Sequence, residues 1–147
     1  AMAGGGISIH YAAHSLNKIC YLTQSDIAWA TGSCTYLQPG TDVDGSAQML
    51  LRTSSGISAS ISLCGYSVVP IDETMLFFAN GSLRLHTGSD LSVTCGSGYE
   101  TVDTSSYPNA FEAQWADFIS GVRAGRILYC DGTYGASIVR TIELLYH

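Results

Sequence analysis

His10 and His14 stand four residues apart, and Asn17 follows three residues later, all behind a run of three glycines, Gly4-Gly5-Gly6. An imidazole titrates near neutral pH, so it can accept the proton of a hydroxyl or return it within one reaction cycle. Residues three and four apart on a helix are neighbours on its surface. His10, His14, Asn17 and Tyr21 therefore make one polar stripe if the segment is helical. The glycines allow close backbone approach and leave the first amides of the following helix open to a ligand. A chain end with no binding role is the alternative reading of Gly4, Gly5 and Gly6. For the histidines, the alternative is a solvated polar face. A metal site would need a third ligand, and no His-Glu-x-x-His arrangement accompanies the pair, so no metal is expected.

The remaining reactive residues offer less. Cys20, Cys34, Cys64, Cys95 and Cys130 are odd in number and contain no Cys-x-x-Cys pair, which predicts reduced, mostly buried thiols. Asp42 and Asp44 read as a solvated turn between Gln38 and Gly45. Trp29, Tyr36 and Tyr66 could stack on a sugar ring, but aromatic residues at strand positions are expected in the core, as is Trp115. His86 ends a strand without an evident partner. No serine sits in a Gly-x-Ser-x-Gly elbow.

The elements that must hold these residues follow from periodicity. From Ile7 to Leu22, Ile9, Ala12, Ala13, Leu16, Ile19 and Cys20 recur at intervals of three and four, which predicts one buried helical face. The histidine stripe is rotated from that face by one residue, roughly 100 degrees. Strands are expected over Ile27–Leu37, Ala47–Arg52 and Ile57–Leu63, the last two joined through Ser54-Ser55-Gly56. Ser58, Ser60 and Ser62 alternate with Ala59, Ile61 and Leu63, so this hairpin has one serine-coated face. Met75–Ala79 and Ser82–His86 flank Asn80-Gly81, a two-residue turn signal. Leu91–Cys95 is a further strand, and 96–106 is read as a loop. Asn109 followed by Glu112 predicts a capped helix that carries Phe111, Trp115, Phe118, Ile119 and Val122 on one side and stops at Gly125. Asp131 or Thr133 caps a last helix, with Ile138, Val139, Ile142, Leu145 and Tyr146 on a shared face. The expected class is α+β: an open, mainly antiparallel β-sheet with helices packed on one face, forming a single domain over residues 1–147.

Read as Gly-Gly-Gly-x-x-x-His-x-Ala-x-His-x-x-Asn, the segment from Gly4 to Asn17 resembles the active-site helix in the C-terminal domain of the Gfo/Idh/MocA family of NAD(P)-dependent oxidoreductases. The family pattern is Gly-Gly-Gly-x-x-x-Asp-x-Gly-x-His-x-x-Asp. Further along, Phe111, Gln114, Asp117, Phe118, Gly125 and Arg126 are similar to a second helix of that domain. The resemblance implies that His14 handles the substrate hydroxyl proton, that His10 and Asn17 line the same cleft, and that Gly4, Gly5 and Gly6 lie beside the cofactor. It also implies a Rossmann domain, outside these residues, that holds NAD or NADP. His10 replaces the pattern's first aspartate, Ala12 its glycine and Asn17 its last aspartate, so both acidic positions have lost their charge. The chain alone is therefore expected to bind no dinucleotide tightly and to turn over nothing. The alternative is a non-enzymatic binding or assembly module derived from the same domain.

Composition limits the partners. The net charge is −6, and Lys18 and five scattered arginines form no basic stripe for phosphates, so nucleic acid is excluded. No apolar run reaches the roughly 20 residues of a spanning helix, and no signal peptide opens the chain, so no membrane is expected and a cytoplasmic location is. Gly-x-Gly-x-x-Gly after a strand is absent. Charged residues make up 12% of the chain, half of the roughly 25% usual in soluble domains. Burial against a partner subunit or a further domain of the same polypeptide is the expected consequence, and the serine-coated sheet face predicts a homo-oligomer besides the small-molecule substrate.

Overall fold

A computed structural model describes residues 6–36, 40, 42–94, 96–126 and 130–146. Contacts divide the chain into two compact units, one of residues 1–67 and 129–147 and the other of 68–128.

The first unit begins with a π-helical turn, Ser8–Ala12, that runs into α1, Ala13–Thr23. The sequence predicts an uninterrupted α-helix here. The structure instead widens the first turn, which opens on a serine bonded to a distant carboxylate. Gln24 closes α1 in the left-handed region, φ 50°, with its amide on the Cys20 carbonyl. Strands β1, Ile27–Thr35, β2, Ser46–Thr53, and β3, Ser58–Cys64, form an antiparallel sheet in the order β1-β2-β3. Gly56, at φ +88°, makes the β2–β3 turn. Strict alternation puts Ala47, Met49, Leu51 and Thr53 on the inner face. Helix α3, Gly132–Glu143, and a 3₁₀ turn, Leu144–Tyr146, return to that face.

The core is the meeting of the two layers: Ala12, Leu16 and Cys20 from the first helix, Met49, Leu51 and Ile61 from the sheet, and Ile138, Ile142 and Leu145 from the last. Of the predicted helical stripe, Ala13 and Ile19 pack at the margin and Ile9 is exposed. Gly32 has a packing role, because a Cβ there would lie 2.5 Å from Leu145 Cδ2. The outer face carries Gln48, Leu50 and Arg52 opposite Ser62, Ser60 and Ser58, so the serine-coated face exists as expected.

In the second unit, β4, Glu73–Phe78, β5, Gly81–His86, β6, Leu91–Thr94, and β7, Glu100–Val102, form a four-stranded antiparallel meander. Strand β7 falls inside the expected loop. Phe78 pairs with Gly81, so the β4–β5 turn is Ala79-Asn80, one residue before the predicted position. In this register Glu73 faces His86 and accepts a 2.5 Å bond from Arg84 Nε, a pairing that a slipped register would lose. Helix α2, Ala110–Ala124, is capped by Asn109, whose Oδ1 accepts from the Glu112 amide at 3.0 Å.

The two sheets, with no closed barrel, constitute an open α+β fold. Among the described residues, no helix is long and apolar enough to cross a membrane. Three burial expectations are corrected. Trp29, Tyr36 and Tyr66 are exposed; Trp29 follows a bulge in β1 and faces outward beside Arg52. Trp115 is 62% exposed, because the apolar side of α2 remains largely open. Cys20 is buried, whereas Cys64 and Cys130 are exposed, and Cys95 lies outside the described residues.

Candidate active-site helix

The start of the histidine helix is fixed by a residue far away in sequence. Asp44, in the β1–β2 connection, is 2% exposed, and its carboxylate accepts four hydrogen bonds. Oδ1 receives the Gly6 amide at 3.0 Å and the Tyr146 hydroxyl at 2.8 Å. Oδ2 receives the Ser8 amide at 2.8 Å and the Ser8 hydroxyl at 2.6 Å. The Asp44 carbonyl accepts the Ile7 amide at 2.9 Å. A carboxylate near the positive end of a helix, with its lone pairs filled by donors, is well stabilised. Burial opposes its ionisation, but the bonds from Ser8, Tyr146 and Gly6 outweigh burial and hold the carboxyl below its ordinary range. Burial, reinforced by the Asp44 charge, pushes the Tyr146 phenol up, so Tyr146 remains a proton donor.

This network corrects two expectations. Asp44 is no solvated turn residue, because it closes the first unit by joining the helix start to the last turn of the chain. The amides of Gly6, Ile7 and Ser8 are spent on Asp44 and are not open to a ligand. Gly6 is needed for the closeness of that contact, since a Cβ there would lie 2.0 Å from the Asp44 carbonyl oxygen. Gly4 and Gly5 lie outside the described residues.

Beyond the π-helical turn, His10 and His14 are both exposed. The His10 ring meets the Tyr11 ring edge-on at 4.7 Å. His10 lies in the π-helical turn, which carries i→i+5 bonding, and His14 lies in α1. His14, Asn17 and Lys18 all lie within α1, at spacings that bring their side chains to one surface. Asn17 is half-buried, and its Oδ1 accepts the Tyr134 hydroxyl at 2.7 Å. Tyr134 is itself held by α3, whose N-cap Asp131 accepts the Tyr134 amide at 2.8 Å. The helix bearing His14 is thus tied at its start by Asp44 and in its middle by Tyr134. Among the described residues no three His, Cys, Asp or Glu side chains converge as metal ligands.

His86, apart from this site, lies in the second unit with Nε2 3.5 Å from Glu73 and Nδ1 3.5 Å from Asp90. It therefore has two acidic neighbours where none was evident in the sequence. Sequence reasoning passed over Ser8, Asp44, Lys18, Tyr134 and Tyr146. For Lys18 the signal was available: it continues the i, i+4 spacing of His10 and His14. Asp44 and its donors left none, because they lie 36 to 102 residues apart.

Comparison with known proteins places these elements. A family model described as GFO/IDH/MocA C-terminal domain matches residues 1–84. No sequence among curated proteins matches the chain. Solved structures with a similar fold include an aldose–aldose oxidoreductase from Caulobacter crescentus complexed with glycerol, at TM-score 0.85 and 21% identity, over 98% of this chain and 45% of that one. Levoglucosan dehydrogenase in complex with NADH and levoglucosan is similar at TM-score 0.80 and 16% identity, over 96% of this chain and 49% of that one. UDP-N-acetylglucosamine 3-dehydrogenase from Acidithiobacillus ferrooxidans is similar at TM-score 0.80 and 18% identity, over 95% and 46% respectively. The chain spans about half the length of each, and at these identities the likeness is one of fold.

Proposed function

This chain belongs to the GFO/IDH/MocA C-terminal domain family, and on that premise we propose that it is the substrate side and oligomerisation surface of an NAD(P)-dependent oxidoreductase acting on a sugar, polyol or similar hydroxylated small molecule. The observation that carries this reading is the exposed imidazole of His14, on a helix whose start is fixed by the buried Asp44. A fixed helix holds a base in one position relative to a bound hydroxyl, and general base catalysis depends on that geometry before it depends on pKa.

His14 accepts the hydroxyl proton of the substrate at an imidazole nitrogen. His10 and Asn17 contact the substrate from the same helix, His10 from the π-helical turn and Asn17 with its amide oriented by Tyr134. The described residues do not fit a dinucleotide on their own. The amides of Gly6, Ile7 and Ser8 are engaged by Asp44, and the Gly-x-Gly-x-x-Gly fingerprint is absent from the sequence. On this reading NAD or NADP is held by a Rossmann domain that is not among these 147 residues, with Gly4, Gly5 and Gly6 bordering it. Self-association through the outer sheet face accompanies this reading, because Trp29, Leu50 and the serines of β3 form a flat surface with little charge.

A second reading, a non-enzymatic binding or assembly module, is favoured by one observation: His10 and Asn17 stand where the family pattern has carboxylates. The test compares this chain alone with the same chain joined to its dinucleotide-binding domain, using NAD and NADP with a panel of aldoses, polyols and sugar acids. The oxidoreductase reading expects turnover only in the joined form. Turnover by the chain alone contradicts it, and no turnover in the joined form favours the module.

A further inference from the structure

Helix α2 leaves its largest side chains open. Phe111, Trp115, Phe118 and Val122 follow one another at spacings of four, three and four, and Ile119 widens the same stripe. Phe111 is 78% exposed, Trp115 62%, Val122 61%, Phe118 46% and Ile119 43%. The one buried residue of the helix is Gly121, which stands one residue, about 100 degrees, around from Val122. The side on which α2 is covered is therefore not the aromatic one. The Trp115 and Phe118 rings meet edge-on with centroids 5.9 Å apart, so the stripe is an ordered surface. Glu112 and Arg123 flank it on one margin, and Gln114 and Asp117, the latter paired with Arg126, on the other. An apolar centre with a polar rim is the anatomy of an interface.

The size of the stripe selects its occupant. Aromatic side chains bury about 150–250 Å² each when covered, so three of them, half to three-quarters open, with Ile119 and Val122 beside them, offer on the order of 500 Å². A stable complex of separate molecules takes about 800 Å² from each partner. Domains of one polypeptide meet over about 600–1,500 Å² in total, because the chain connection keeps their effective concentration high. Counted on both sides, the stripe falls within the second range and short of the first. This chain spans 45% of the aldose–aldose oxidoreductase chain and 49% of the levoglucosan dehydrogenase chain, so about half of each similar protein lies beyond the matched region. We propose that the aromatic side of α2 is the docking surface for the dinucleotide-binding domain of the same polypeptide, which covers Trp115 and Phe118 with an apolar patch of its own. This rests on the reading of the chain as the substrate side of an NAD(P)-dependent oxidoreductase, and it adds a named side-chain contact to the chain connection between the two domains.

The test labels the tryptophans with fluorine, in the 147-residue chain and in the same chain joined to its dinucleotide-binding domain, and assigns the Trp115 resonance with Trp115→Phe. A soluble gadolinium chelate broadens the resonances of solvent-exposed groups. Broadening of Trp115 is expected to fall several-fold in the joined form, and Phe118→Asp in the joined form is expected to restore it. Phe111→Ser provides a second measurement: it should lower the denaturation midpoint of the joined form and leave that of the chain alone unchanged. Trp115 broadened equally in both forms, with turnover of the joined form intact, overturns the docking surface and leaves the oxidoreductase reading standing. Trp115 shielded in the chain alone and released on dilution shows a second copy on the stripe and overturns it as well, as does an equal loss of stability in both forms of Phe111→Ser. Trp115 shielded only in the joined form, with no turnover on any sugar or polyol offered with NAD or NADP, supports the docking surface and contradicts the oxidoreductase reading.

Discussion

At position 44 a carboxylate nearly sealed from solvent satisfies four donors from two segments of the chain, the helix start and the last turn. Truncation would leave those donors buried without an acceptor, which costs more than the bonds contribute net. Asp44→Ala is therefore expected to lower stability by about 3 kcal/mol or more, read as a fall in denaturation midpoint. Asp44→Asn is expected to cost less, because its amide oxygen still accepts. Gly6→Ala tests the same contact from the other side. Its Cβ would meet backbone atoms of Asp44 at 2.0 and 2.5 Å, which cannot rotate away, so a loss of about 2 kcal/mol is expected. A Gly6→Ala protein as stable as the parent would contradict the account of the helix start. None of this was legible locally: an aspartate next to a glycine reads as a turn, and only the fold brings Ser8 and Tyr146 to it.

The helix that Asp44 anchors also has a pH limit whose sign follows from the carboxyl's lowered pKa. The ordinary value is 3.8, and the folded value lies below it. The stabilisation is thus fully present above the ordinary value and is lost as pH falls through the folded one. Acid titration followed by circular dichroism should show the helical signal falling below about pH 4, and Asp44→Asn should remove that contribution. A further dependence runs through α3. Asp131→Ala removes the N-cap and is expected to cost about 1 kcal/mol, while loosening Tyr134 and with it the orientation of Asn17.

Elements with long periodic patterns were legible: α1, α2, α3 and the β2–β3 hairpin match their expected spans to within a few residues. Three-residue β7 was not, because Glu100-Thr101-Val102 is too short to show alternation amid small polar residues. The π-helical turn was not either, since apolar spacing alone does not register a change in backbone hydrogen bonding. The β4–β5 turn misled because Asn80-Gly81 is a strong local signal, whereas the register also carries the long-range Glu73–Arg84 bond.

For the whole molecule, burial is uneven. Every fully buried hydrophobic side chain among the described residues belongs to the first unit, and the second exposes Val68, Ile71, Phe77 and Phe111 widely. The low charged fraction foretold surface of this kind, though not its location. Self-association through the outer face of the three-stranded sheet predicts that Leu50→Glu, in the middle of that face, shifts the protein to monomer in light scattering at micromolar concentration. A monomeric parent protein under the same conditions would contradict it.

The claim on which the functional reading depends is that the His14 imidazole handles the proton of the substrate hydroxyl. Its most direct test is kcat for His14→Gln in the chain joined to its dinucleotide-binding domain, with dinucleotide affinity measured alongside. The account predicts a fall in kcat of about 10²- to 10⁴-fold at unchanged dinucleotide affinity. A kcat within twofold of the parent value, in a protein equally well folded, would contradict it.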